Sequence, residues 1–516
     1  MVRILWADDE IDLLKPYILF LEAKGYKVIP ATDGQEALDI LEKEKADIIF
    51  LDENMPGLNG LETLTRVKVK YPSIPVIMIT KSEEENIMEQ AIGSKISDYL
   101  IKPVNPNQIL LVLKKHLDKD RLVTQTSAMT YQQEFRELSM RINENLSWEE
   151  WIDLYKNIVH WEIELSSSND SSIFEILKDQ KEQANERFSK FYQSNYKEWV
   201  NDKTDQSPIM SHKVLSKYVF PLLKEKKRPI FLLVLDNFRF DQWRALKPMI
   251  EQQLFVQKED IYYTILPTTT QYARNALFSS LMPLDIKINY PQYWIDEDKE
   301  GNKNQYEPDL LEDNLRRHRI KASMTYHKVL NVAYGMKMLD ILPNFMQNDL
   351  NVIVYNFIDM LSHARTESDL VRELAADENA YRSVTQTWFE HSPLLEVLKY
   401  LSDKDVDVFI TTDHGSVKVN HPVKVKSNKE ASVNLRYKIG RLLDFDPREV
   451  YDVKNPSEIK LPSLSIMSPM IFARANDYFV YPNNYNQYVS YYMNTFQHGG
   501  ISMEECLVPL IHLTKK

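Results

Sequence analysis

A single cysteine, Cys506, in 516 residues excludes an internal disulfide framework and any cysteine-rich zinc finger. Long apolar runs are missing as well. None approaches the roughly 18 residues that a membrane span needs, and strand-like sequence already begins at Val2, where a signal peptide would lie. A soluble, cytoplasmic protein is therefore expected. There is no basic excess: 63 Lys+Arg against 75 Asp+Glu leave a net charge of −12. That balance argues against attachment to nucleic acid by bulk charge but allows a local basic groove. Glycine is scarce, 11 in all, with none between Gly93 and Gly301, and proline is absent from Asn107 to Ser207. A long stretch without either breaker reads as continuous helix. The chain accordingly divides into residues 1–118, a helical middle over 119–210, and an α/β part over 211–516, without internal repeats.

What is present in the first part is an alternation of short apolar strands and amphipathic helices. Strands are expected at Val2–Ala7, Lys27–Ala31, Ala46–Leu51, Pro75–Thr80 and Asp98–Ile101, with helices such as Ile11–Ala23 and Gln35–Lys43 between them. Five βα units imply a parallel sheet whose functional crevice lies at the carboxyl ends of its strands. Asp8 and Asp9 follow the first strand, Asp52 ends the third, Thr80 the fourth, and Lys102 follows the fifth. Three carboxylates in one pocket favour a hard divalent cation such as Mg2+. One of them can then accept a phosphoryl group while Lys102 and Thr80 contact its oxygens.

This ordered set resembles the CheY-like receiver domain of two-component response regulators. The resemblance implies Asp52 as phosphoacceptor and a Mg2+ ion held by Asp8, Asp9 and Asp52, with Asn54 adding its backbone carbonyl. It also implies Thr80 and Tyr99 as the switch pair and Lys102-Pro103 as the conserved step of the family. The common companion of a receiver, a short DNA-binding domain, finds no helix-turn-helix pattern here. The middle part, with spaced Phe135, Trp148, Trp151, Trp161, Phe174, Phe188 and Trp199, reads either as a signal-transmitting bundle or as a spacer whose aromatics are its core.

The last part carries three buried-strand runs, each leading to an acidic residue. Ile230–Leu235 leads to Asp236, Val352–Ile358 to Asp359, and Asp407–Thr412 to Asp413-His414-Gly415. Central parallel strands would bring these carboxylates to one sheet edge. Asp359 and His363 share a helical face, and Gly499-Gly500 gives the loop after His498 the freedom to turn into a site. Aspartate with histidine suits zinc, and two sites assemble: Asp359, His363 and His498 for one, Asp236, Asp413 and His414 for the other. Two such ions would clamp the attacking and leaving oxygens of a phosphoryl transfer. A nucleophile is sought among Thr268, Thr269 and Thr270, which lie between an expected strand Ile261–Leu266 and a helical pattern running to Leu281. Spacing alone does not choose among them.

Asp236-Asn237-Phe238-Arg239 and His498-Gly499-Gly500, with Glu504 and Glu505 behind, resemble the PglZ branch of the alkaline phosphatase superfamily. The segment Pro267–Pro283 is similar to the nucleophile segment of nucleotide pyrophosphatase/phosphodiesterases, which implies Thr270, then Thr269. That scheme adds Thr270 to the Asp236, Asp413 and His414 zinc site. The implied architecture is a (βα)5 receiver, an all-α helical bundle and an alkaline-phosphatase-like α/β sandwich, resembling the PorX-type response regulators. That resemblance implies a sensor histidine kinase upstream and contact with an alternative sigma factor or a type IX secretion component. A basic strip, Lys418, Lys424, Lys426, Lys429, Arg436, Lys438 and Arg441, is read as a phosphate-binding surface with Tyr437 able to stack a base, Arg436 and Lys438 being the chosen substrate contacts. The expected activity is zinc-dependent hydrolysis of linear or cyclic nucleotide-type phosphodiesters, controlled by phosphorylation and homodimerisation. The alternative is an adaptor working through protein contacts around a structural or vestigial metal site.

Overall fold

The computed structural model describes residues 2–81, 96–117, 119–166, 171–202, 206–427, 434–463 and 468–516. Chain contacts divide them into two compact units, 1–130 with 167–169, and 131–166 with 170–516.

In the first unit five strands form one parallel sheet: β1 (Arg3–Ala7), β2 (Lys27–Ala31), β3 (Ile48–Asp52), β4 (Val76–Thr80) and β5 (Asp98–Ile101), in the order β2-β1-β3-β4-β5. β3 and β4 are buried at every position because helices cover both faces, which is why they read as unbroken apolar runs. One face buries Ile4, Trp6, Phe50 and Ile77; the other buries Leu5, Ile49, Leu51 and Met78. Helix starts are fixed locally. Asp33 accepts from the Glu36 amide, and Asn59 with Glu62 forms a reciprocal capping box.

The second unit combines part of the helical middle with the C-terminal α/β domain. Helices Lys119–Asn143, Trp148–Ser166 and Ser171–Asn201 account for the breaker-free stretch. Trp151, Trp161, Phe188 and Trp199 are buried, so the aromatic spacing is a core pattern. The core sheet has six strands: β6 (Ile230–Leu235), β7 (Phe255–Tyr263), β8 (Met324–Val329), β9 (Leu350–Tyr355), β10 (Asp407–Thr411) and β11 (Leu507–Thr514). Their order is β7-β11-β10-β6-β9-β8. β10, β6, β9 and β8 run parallel, and β11 is antiparallel to both β10 and β7. Strand ends that bear on the site differ from the sequence reading. β9 ends at Tyr355, and Asp359 sits in the first turn of the helix Phe357–Glu367. The strand expected at Ile261–Leu266 is the end of the longer β7, which stops at Tyr263. Among the described residues no helix is long and apolar enough to cross a membrane.

The helix Ser171–Asn201 lies on the loops that follow β7 and precede β11. Tyr192 donates its hydroxyl to the Thr264 carbonyl at 2.5 Å, and the Leu266 amide donates to the Tyr196 hydroxyl at 2.8 Å. The Asn185 side chain binds the Glu504 carboxylate and the Met503 amide. Lys181 is shared by Glu162 and Glu504, at 2.9 and 2.8 Å. The helix thus fixes the approaches to both the threonine segment and the His498 loop.

Candidate functional site

In the receiver unit Asp8, Asp9 and Asp52 bring one oxygen each to within 4.8 Å of one another. Asp8 and Asp52 are buried and Asp9 is exposed. Lys102 reaches between them, 2.9 Å from Asp8 and 2.8 Å from Asp52. Burial pushes the Asp52 carboxyl above its usual range, and Lys102 opposes that shift. Thr80 is buried at the end of β4 with its hydroxyl on Glu53. Asn54 and Tyr99 are exposed.

In the C-terminal domain the parallel register of β10, β6 and β9 sends Asp413, Asp236 and the helix bearing Asp359 to one sheet edge. Asp236, Asp413 and His414 form one cluster, and Asp359, His363 and His498 a second. The rings of His414 and His498 stack at 4.4 Å, so the clusters adjoin. Gly499 takes φ +122°, the left-handed freedom that turns the His498 loop inward. A Cβ on Gly415 would lie 2.0 Å from the Glu504 carbonyl, so only glycine allows this close passage behind His414.

His414 and His498 are each oriented by the nitrogen that faces away from the carboxylates. His414 Nδ1 is 3.1 Å from the Gly415 carbonyl and His498 Nδ1 is 3.1 Å from that of Thr268, which leaves both Nε2 atoms facing the carboxylates. His414 Nε2 lies 3.7 Å from Asp413, and His498 Nε2 lies 3.7 Å from Asp359. Asp413 Oδ2 is buried without a hydrogen-bond partner. Burial and the neighbouring Asp236 raise the Asp413 carboxyl to about 8. Burial and Asp236 raise Asp359 to about 6. Burial lowers His498 to about 4. An orphaned buried carboxylate oxygen beside oriented imidazole nitrogens fits a divalent cation of zinc type.

The three threonines are distinct. Thr268 binds the Gly500 carbonyl and accepts from the Gly499 amide. The Thr269 hydroxyl is buried with no partner. Thr270 opens a wide turn, Thr270–Arg274, with its Oγ1 3.3 Å from Asp236 and 3.2 Å from His414.

Sequence reasoning missed Arg274. One turn beyond Thr270, its buried guanidinium holds Asp236 at 2.7 Å, lies 3.7 Å from Asp413, and is backed by Glu307 at 2.7 Å. Burial would raise the Asp236 carboxyl, but Arg274 and His414 hold it below its usual range. The four-residue spacing from Thr270 was the available signal. The Asp236 motif also supplies buried Arg239, paired with Asp241 and Glu378.

The substrate contacts expected in the basic strip need correction. Arg436 is fully buried with its guanidinium on Glu505, 2.6 Å away, and therefore holds the loop behind His498 instead of facing a substrate. Tyr437 is buried with its hydroxyl on Glu297, so it presents no free face for a base. Lys438 is half-buried, and burial lowers its ammonium to about 8 against the pull of Glu297. Lys424, Lys426 and Arg441 are exposed, Lys418 half-buried. Lys429 falls outside the described residues.

Comparison with known proteins follows the same division. The family model described as the BREX system PglZ alkaline phosphatase-like domain matches residues 214–513, more than half of the chain. The PorX response regulator linker domain matches 121–200, and the response regulator receiver domain matches 4–114. Among curated proteins, the alkaline phosphatase synthesis transcriptional regulatory protein PhoP of Bacillus subtilis is 33% identical over 129 residues, covering 25% of this chain and 53% of PhoP. The alginate biosynthesis transcriptional regulatory protein AlgB of Pseudomonas putida is 32% identical over 127 residues, covering 25% of this chain and 28% of AlgB. The chain thus spans about half or less of these relatives. A CheY-like receiver domain protein from Methanospirillum hungatei matches as a solved structure, with 29% identity, a TM-score of 0.23, and coverage of 23% of this chain and 95% of that one. With a receiver in front, a PorX linker in the middle and the PglZ domain over most of the remainder, the chain belongs to the PglZ family and is a response regulator of the PorX type.

Proposed function

We propose that the C-terminal domain is a zinc-dependent phosphodiesterase with Thr270 as nucleophile, controlled by phosphorylation of Asp52. The observation that carries this reading is the Thr270 hydroxyl, 3.3 Å from Asp236 and 3.2 Å from His414 beside a second Asp/His cluster. Asp236, Thr270, Asp413 and His414 would hold one zinc, and Asp359, His363 and His498 the other. Zinc held there would supply Lewis acidity, which would favour ionisation of the Thr270 hydroxyl and offset charge on the leaving oxygen. The Thr270 hydroxyl loses its proton and its oxygen attacks phosphorus. The bond to one ester oxygen breaks, that oxygen takes up a proton and departs as the alcohol, and the remaining phosphate ester is left on Thr270. Water then attacks that phosphorus, releasing a monoester and restoring the hydroxyl. Arg274 keeps Asp236 and Asp413 aimed at the cluster.

Diesters are favoured over monoesters because Arg274 is committed to Asp236 and Glu307, so its guanidinium is not available to grip the extra charge of a monoester. Nucleotide-type diesters suit the cations that stay exposed, Lys424, Lys426 and Arg441. In the receiver, Asp8, Asp9 and Asp52 with the Asn54 carbonyl would take Mg2+, and Thr80, Tyr99 and Lys102 would answer the phosphoryl group. A homodimer of the phosphorylated form, type IX secretion as the regulated process and an alternative sigma factor as partner complete the proposal. Ultracentrifugation with and without a beryllofluoride mimic should give a doubled mass with the mimic; an unchanged mass removes dimerisation from the account.

Hydrolysis of a chromogenic phosphodiester by zinc-loaded wild type and Thr270→Val tests the activity. Turnover confined to the wild type supports the enzyme. A wild type holding two zincs without any turnover moves the function to an adaptor acting through protein contacts.

A further inference from the structure

Between the two ligand clusters lies Asn237, a residue with no role in the scheme above. It is fully buried and adopts φ +63°, a backbone region where glycine is the default and asparagine is tolerated. Its backbone amide points at Asp413 Oδ1, 3.5 Å away in the first cluster. Its side-chain amide donates to Ser362 Oγ at 3.1 Å and reaches Asp359 Oδ1, 3.4 Å away in the second. Ser362 in turn donates to the Asp359 carbonyl at 2.8 Å. The opposite amide orientation would aim a carbonyl oxygen at the Asp359 carboxylate, so the contact itself fixes Nδ2 as the inward atom. Asp359 spreads its two oxygens between the histidines, Oδ1 at 3.7 Å from His498 and Oδ2 at 3.6 Å from His363. The Asn237 amide is placed to hold that carboxylate in its rotamer.

We propose that Asn237 is a positioning residue that ties the two metal clusters together, its backbone amide serving Asp413 and its side-chain amide orienting Asp359 for the second ion. The inference rests on the metal-binding reading given under the proposed function. Partners of this kind orient the ligands they touch, and their removal weakens metal binding. The alternative is that Asn237 merely serves the turn after β6. Asn237→Gly separates the two, because glycine keeps the left-handed backbone and deletes only the amide.

The experiment is a zinc titration of the full chain against a chromophoric chelator, with Mg2+ present so that the receiver pocket does not take zinc. His363→Ala identifies the second site as the binding event it abolishes. Asn237→Gly is expected to bind that zinc roughly 10–100-fold more weakly than wild type while keeping the other at wild-type affinity. The melting temperature of the metal-free variant should stay at the wild-type value, which a purely structural loss would lower. If Asn237→Gly binds both zincs as wild type does, the positioning role is wrong and the proposed activity is untouched. A wild type that binds no zinc overturns both. If the glycine variant does not fold, Ser362→Ala decides: weaker binding at the second site supports the tie, and unchanged binding refutes it.

Discussion

Three aspartates converge in the receiver and three more in the C-terminal domain, and the two pockets balance their charge differently. In the receiver, Asp9 stays in solvent and the counter-charge is Lys102, a flexible side chain that is itself 18% exposed. In the C-terminal domain, Asp236 and Asp413 are 1% and 0% exposed, and the counter-charge is a planar guanidinium locked from behind by Glu307. Water can replace Lys102 when it moves, whereas a buried carboxylate that loses its partner has no such substitute. The first arrangement suits a guest that comes and goes, a phosphoryl group with its Mg2+. The second, with imidazoles added, suits an ion that stays.

The comparison can be broken in several ways. The largest effect is expected from Thr270→Val: the diesterase kcat should fall by about 10³-fold or more, with two zincs still bound by metal analysis. Metal removal comes next, followed by calorimetry of the two units. Stripping zinc present at about 1,000 times its Kd should cost the C-terminal unit about 4 kcal/mol for each of the two ions, whereas stripping Mg2+ present near its Kd should shift the receiver transition by less than about 1 kcal/mol. Equal shifts would mean that the two pockets do not differ as argued. Arg436→Met should cost about 3 kcal/mol in denaturant unfolding, because Glu505 is left buried without a counter-charge, held by the Gly500 amide and the Ser502 hydroxyl. The same variant should leave the KM for a diester unchanged; a raised KM with intact stability would return Arg436 to the substrate. Tyr196→Phe should have the smallest effect, about 1–2 kcal/mol, from the Leu266 amide left without an acceptor.

Much of both pockets could be read without coordinates. Strand ends are topologically fixed in a parallel sheet, so Asp8, Asp52, Asp236 and Asp413 needed only their apolar runs to be placed. The pair Asp359 and His363 was legible from helical spacing even though Asp359 lies on a helix turn past the end of β9. The choice among Thr268, Thr269 and Thr270 was not legible from spacing, and only the resemblance to the phosphodiesterase segment pointed to Thr270. It depends on what each hydroxyl meets, and of the three it is Thr270 that bonds to Asp236 and His414, while Thr268 is held by Gly500 and Thr269 has no partner. The basic strip misled for a related reason: sequence gives the sign of a charge and not its burial, and Arg436 spends its charge on Glu505, 69 residues downstream. Arg274 went unnoticed, and Asn237 was quoted within the Asp236 motif but given no role, because each touches a candidate ligand and neither is one. The support given by Tyr192 and Tyr196 was hidden because their aromatic spacing is equally that of a core.

The most direct test of the central claim is to look for the covalent intermediate. Zinc-loaded protein is mixed with excess phosphodiester, quenched in acid during turnover, digested, and read by mass spectrometry. The account predicts that the peptide carrying Thr270 gains the mass of the retained phosphate ester, that fragmentation places it on Thr270, and that Thr270→Val shows none. Turnover with an unmodified Thr270 peptide, or with the added mass on Thr269, would contradict it.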